Sequence, residues 1–215
     1  MDRLVGIPLG HGLEDLIPAS ERALLGAVAE RPRVIGVGTL EKWDPRELAM
    51  KREIEIDVIG RGKTPQEAAA FALAHLAKRG IAPTEIRLSR NLLVNTGLTD
   101  IGNGLTSSGL ATPYTNANAN IGVGDSSTAA SVSQTDLQAA SNKLRKVMDA
   151  TYPTVSNGVY TFRSTFATSD ANFAWAEWAV FNAASTGRML NRAVASLGTK
   201  TSAQSWQFTC TITVS

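Results

Sequence analysis

The sequence predicts an α+β protein: a small α/β N-terminal domain over residues 1–90, then a mainly antiparallel β-sandwich-like domain over residues 91–215 with one helix. Three observations predict it. Residues 1–90 hold 14 Lys/Arg and 13 Asp/Glu, whereas residues 91–215 hold only 7 and 6 and are rich in Ser, Thr, Asn, Ala and Gly. A shift of that size is expected to mark a domain boundary. Apolar residues recur at helical spacing after Thr64. From residue 159 onward the period falls to two, which is the period of strands.

In the first part, Leu13 to Val28 reads as a helix interrupted by Pro18, with Ser20 as N-cap of its better half and Pro32 as its stop. Arg33 to Leu40 reads as a strand. Lys51 to Ile59, KREIEIDVI, alternates Ile54, Ile56 and Val58 with Glu55 and Asp57, so a strand with one wet face is expected. Thr64, Pro65 and Glu67 form a capping box with proline at the first helical position. Ala68, Phe71, Ala72, His75 and Leu76 share a face of the helix that follows, and Gly80 stands where a left-handed C-cap belongs. Glu85 to Leu88 is a short strand. These elements suggest one helix face packed on a sheet.

In the second part, Asn95 to Asn120 carries few groups able to build a core and is read as a long functional loop. Ile121 to Asp125 is a short strand and Ser126 to Ser133 a loop. Residues 136–149 are read as the helix of this domain, capped by Ser133 or Thr135. Leu137, Ala140, Leu144 and Val147 form its stripe, and Lys143, Arg145 and Lys146 suit its negative end. Asn157-Gly158 signals a hairpin. In Val159 to Phe166, Tyr160, Phe162 and Phe166 oppose Thr161, Arg163 and Thr165. Phe173 to Phe181 and Met189 to Val194 are further strands. The last, Ser205 to Ser215, sets Trp206, Phe208, Cys210, Ile212 and Val214 against Gln207, Thr209, Thr211 and Thr213.

The chain has 215 residues, 43% of them hydrophobic, and a net charge of +2. Such balance provides no field for nucleic acid and no pull toward an anionic membrane. No apolar run approaches the roughly 20 residues of a membrane span. The opening MDRLVGIPLGHGLEDLIP lacks an apolar signal-peptide core, so synthesis in a cytoplasm is expected. Cys210 is the single cysteine, so packing alone must hold the fold together.

No motif for chemistry survives scrutiny. Gly60-Arg61-Gly62-Lys63-Thr64 has Asp57 where a phosphate loop needs its first glycine, so a capped turn is the better reading. Gly122-Val123-Gly124-Asp125 is followed by Ser126, Ser127 and Thr128, without the acids of a calcium loop. His11 and His75 are isolated and too few for a metal site. Cys210 falls on a core face and reads as a small hydrophobe. Glu177 has no second carboxylate for acid–base work and should hydrogen-bond backbone or pair with an arginine such as Arg163 or Arg192. No catalytic residue, cofactor or metal is therefore expected. Trp175, Trp178 and Phe181 are candidate interface anchors, with core packing as the alternative. Trp175 and Trp178 have opposite parity, so a regular strand turns them to opposite faces. One is then left for a partner, a bulge or a second layer.

Residues from about 91 to 215 resemble small structural proteins of tailed-phage particles. The resemblance lies in the order of NLLVNTGLTDIG, YTNANANIGVGDSSTAAS, QTDLQAASNKLRKVMDATYP, the run TFRSTFATSDANFAWAEWAVFNAASTGRMLNRAVASLGTK, and SWQFTCTITVS. In the attachment heads of tail-collar and tail-fibre proteins, a GxG strand leads to a helix with a basic end. A strand with E-x-G-(L/V)-(F/Y)-(N/D) follows. Here that motif is Glu177-Trp178-Ala179-Val180-Phe181-Asn182, with Ala179 where glycine is usual. The resemblance implies a non-catalytic virion protein made in the host cytoplasm. It would assemble with other virion proteins as a capsid decoration or a tail, collar or fibre component.

From the residues themselves, a homo-oligomer is expected, with edge strands such as Ser205 to Ser215 pairing across subunits. Residues 1–90 would be an anchoring region. The alternative is a host-surface glycan-binding module using Tyr114, Asn116, Asn118 and Trp178. A cell-wall hydrolase is the weakest reading, since paired acids are lacking.

Overall fold

The computed structural model describes residues 34–105 and 112–214, which form one compact unit. The expected helix at Leu13 to Val28, and His11, lie outside the described residues. The chain runs β1 (Val34–Trp43), α1 (Pro45–Gly60), α2 (Pro65–Ala77), β2 (Glu85–Arg90), β3 (Leu92–Leu93), α3 (Asn95–Leu105), β4 (Asn120–Gly124), β5 (Lys143–Val147), β6 (Thr154–Ser156), β7 (Val159–Phe166), β8 (Ala174–Phe181), β9 (Met189–Thr199) and β10 (Ser205–Val214). The strands make two five-stranded antiparallel sheets, ordered β2-β1-β10-β7-β6 and β3-β9-β8-β4-β5. The fold is α+β and mostly β.

The two sheets pack face to face because alternation gives each an apolar inner face. From the first sheet come Leu40, Phe162, Phe166, Trp206, Phe208, Cys210 and Ile212; from the second come Ile121, Val123, Trp175, Trp178, Val180 and Leu197. The ring of Trp175 meets Phe166 at 4.6 Å and Trp206 at 4.8 Å, both edge-to-face, a favoured aromatic geometry. The period-two reading of β7 and β10 therefore places their residues on the faces expected.

Four expectations are corrected. Lys51 to Ile59 is not a strand but part of α1. Asp44 caps that helix by accepting the Arg46 N–H, and Pro45 occupies its first turn. The face turned to the protein is Leu48, Lys51, Glu55 and Val58, spaced three and four apart, while Ile56 is 67% exposed. The helical period is carried partly by charged residues, which hid it behind an accidental apolar alternation. Residues 136–149 are not a helix either. Gln138 and Ala139 donate their N–H groups to Glu177 rather than to a helical turn, and β5 pairs with β4.

The long loop from Asn95 begins instead as α3. Its composition is poor for a helix, so docking rather than propensity holds it. A side chain at Gly97 would strike the Leu190 carbonyl at 2.0 Å, so glycine lets the helix lie against β9. Finally, β10 is no edge strand, because β1 and β7 flank it on both sides. The same pairing shows that the charge shift near residue 90 falls inside this unit. β1, from the charged part, is zipped to β10 over ten residue pairs.

α2 is the helix the sequence predicts, with both halves of its capping box formed. Gly60 to Thr64 is the turn joining α1 to α2, and Thr64 is the cap. The hairpin at Asn157-Gly158 is also as expected, with φ of 47° and 75° at its two central residues, the signature of a type I′ turn. A Cβ on Gly158 would also stand 2.6 Å from the Val214 carbonyl oxygen. Gly158→Ala should therefore cost about 1–3 kcal/mol in a urea titration, the usual range for a non-glycine residue held at positive φ.

Candidate functional site

The residues singled out from sequence do not converge. Trp175 and Trp178 are both in the sandwich core, 1% and 0% exposed, so neither is an exposed anchor. A register irregularity between Trp175 and Glu177 breaks the alternation and lets both rings point inward despite their opposite parity. Phe181 lies on the other face of β8, fully buried with Val94, Leu137, Ala179 and Met189. The Arg145 guanidinium covers its ring at 3.5 Å. The amide of Asn116 donates to the carbonyls of Asp149 and Tyr152 at 2.9 and 2.7 Å, and that of Asn118 to the Pro113 carbonyl at 3.2 Å. Both asparagines hold turns together.

Tyr114 is the exception, because it borders a groove. Its hydroxyl donates to Asp100 Oδ2 at 3.0 Å, and Arg188 Nε donates to Asp100 Oδ1 at 2.6 Å. Burial, followed by the Asp100 charge, pushes the Tyr114 phenol above its ordinary range. It is therefore a fixed donor and no base. Asp100 and Tyr114 close one side of an apolar groove of about 440 Å³ where β10 ends and β7 begins. The walls are the inward faces of Tyr160, Phe162, Ile212 and Val214, with Ile101 of α3 and Leu190 of β9 opposite. The inner faces of the sheets do not close on each other there: Val155 is 65% exposed and Tyr160 38%. Sequence reasoning missed the groove, although it had placed Tyr160 and Val214 on inward faces. What it lacked was that β6 ends the sheet at this point.

Most of the other ionisable groups of the interior form two structural networks, while Lys42 pairs with Glu85 and Lys200 donates to the Ala167 carbonyl and Asn172. On the outer face of the first sheet, Lys51 of α1 donates to Glu41 at 2.7 Å and also to Gln207. Arg163 of β7 bridges Glu55 at 2.6 Å and Asp149 at 3.0 Å. Asp149 further accepts the Thr165 N–H and hydroxyl. Helix α1 is thus fastened to the sheet largely by charge, beside a small apolar cluster of Trp43, Leu48 and Leu76.

On the outer face of the second sheet, Glu177 and Arg192 pair at 2.7 Å, both 0% exposed. This is the partner expected for Glu177. The carboxylate also accepts the Gln138 and Ala139 N–H groups at 3.0 and 2.7 Å. The guanidinium reaches Gln134 Oε1 at 2.8 Å and the Thr128 carbonyl at 2.9 Å. Together they pin the 125–142 segment to the sheet.

Cys210 is fully buried, and burial pushes its thiol above the ordinary range, which suppresses the thiolate a nucleophile needs. His75 is half-buried and stacks on Phe71 at 6.0 Å. Among the described residues no three of His, Cys, Asp or Glu are grouped so as to hold a metal ion. No described helix is long and apolar enough to cross a membrane. No family model, curated protein or solved structure matches the chain.

Proposed function

We propose that the chain is a non-catalytic structural protein of a tailed-phage particle. In this reading it assembles with other virion proteins, as a capsid decoration or a tail, collar or fibre component, through protein–protein contacts. One observation carries the geometric part of this reading. Most of the ionisable side chains buried in the described residues, Lys51, Glu55, Asp149, Arg163, Glu177 and Arg192 among them, are committed to pinning a helix or a loop to the sheets. Apolar side chains are also exposed, on the helices (Ile56 and Phe71) and on edge strands (Ile86 and Leu88 on β2, Val147 on β5 and Val155 on β6). A molecule whose charges maintain shape and whose margins are sticky suits assembly better than turnover. Of the motif order across residues 91–215, the GxG strand β4 and the Glu177-Trp178-Ala179-Val180-Phe181 strand β8 support the phage assignment, while the basic-ended helix between them is replaced by β5.

The glycan reading draws no support from the site. Trp178 has no surface to offer a sugar ring, and the Asn116 and Asn118 amides are engaged with backbone carbonyls.

Immunogold electron microscopy of purified particles with an antibody against this chain is the test. Label over the head is expected for a decoration protein, and label at the neck or tail for a collar or fibre component. Particles without label would overturn the proposal.

A further inference from the structure

We propose that two copies of this chain pair through β6, antiparallel about a two-fold axis at Val155, joining their first sheets edge to edge. The inference rests on the assembly reading above and names a partner and a surface for it.

The argument starts from the four sheet edges. β2 carries Glu85, Arg87 and Arg90, and β5 carries Lys143, Arg145 and Lys146. Charged side chains on an edge strand blunt it against pairing with another chain, since pairing would strip them of water. β3 is only two residues long. β6, Thr154-Val155-Ser156, is uncharged and stands at the end of its sheet, paired on one side to β7 and, among the described residues, to no strand on the other. Among the described residues nothing bonds its outward backbone groups.

The strand is also complementary to itself. A two-fold axis at Val155 sets Val155 against its copy and Thr154 against Ser156, so small hydroxyl residues face each other on one side and valines meet on the other. Val155 is 65% exposed and its ladder partner Tyr160 38%, both beside the apolar groove, so pairing would cover apolar surface that the single chain leaves wet. Gln66 of α2 reaches only the Thr154 hydroxyl, a side-chain contact that leaves the backbone edge free. Three strand residues fall far short of the roughly 1,200 Å² of a standard interface, so the groove rim must contribute and the free dimer should be weak, on the order of micromolar.

The test uses the full chain. Sedimentation of the wild type up to about 1 mM should show a monomer–dimer equilibrium. Val155→Lys should weaken it at least about tenfold through like-charge opposition, with an unchanged melting temperature because the position is exposed. Under mild oxidation Val155→Cys should form a covalent dimer, whereas Ser156→Cys should not, since its opposite number is Thr154. Cys210 is buried and does not compete. A wild type monomeric throughout, or a dimer indifferent to Val155→Lys with no cross-link at Val155→Cys, would overturn the pairing. Either result would leave particle labelling to judge the virion reading separately.

Discussion

Arg192→Ala is expected to destabilise the fold by about 3–5 kcal/mol, the cost of leaving a buried charge without its partner. Arg192 and Glu177 are both fully buried, and the guanidinium supplies four contacts: two to Glu177, one to Gln134 and one to the Thr128 carbonyl. Without it, Glu177 keeps only the Gln138 and Ala139 N–H groups. Urea denaturation measures the loss, and hydrogen exchange should show protection falling first across residues 125–142. Replacing both partners, with Glu177→Gln and Arg192→Met together, should recover a good part of the stability, because no charge is then stranded. A single-variant loss below about 1 kcal/mol would mean that the pair is hydrated and the loop held by something else.

Trp178→Ala should cost a similar amount, about 3–5 kcal/mol, for a different reason. The indole is 0% exposed, lies 4.9 Å from the Phe208 ring of the facing sheet, and donates from Nε1 to the Ser89 hydroxyl at 2.7 Å. Its removal opens a cavity between the two sheets and strands a polar group. Trp178→Phe keeps most of the packing and should lose only about 1–2 kcal/mol, chiefly the hydrogen bond. Were Trp178 an exposed anchor, the alanine variant would change stability by less than about 0.5 kcal/mol. The denaturation midpoint therefore discriminates core from surface directly.

These two residues also show how far the site could be read from sequence. For Glu177 the sequence points to a backbone hydrogen bond or an arginine such as Arg163 or Arg192, and the structure has both, the Gln138 and Ala139 N–H groups and Arg192. What fastened the pair beneath a loop was not visible, since Gln134, Gln138 and Thr128 carry no local signal of their own. The parity argument for Trp175 and Trp178 left a partner, a bulge or a second layer open, and a strand irregularity between Trp175 and Glu177 is the outcome the structure shows. Asp100 and Arg188 escaped notice for a related reason. They are 88 residues apart and meet only because α3 docks on β9.

Where alternation or capping chemistry is local, the sequence by itself determined the structure. The faces of β7 and β10, the α2 capping box and the Asn157-Gly158 turn depend on neighbours at most a few positions away. The tertiary structure alone decided α1, α3 and the segment that leads into β5. In α1, Lys51 and Glu55 lie inward because Glu41, Gln207 and Arg163 wait on the sheet to receive them. In α3, a glycine-rich stretch is helical because β9 supports it. Residues 136–142 are irregular rather than helical because Glu177 takes two N–H groups, of Gln138 and Ala139, that a helix would have used, a competition that no local period records.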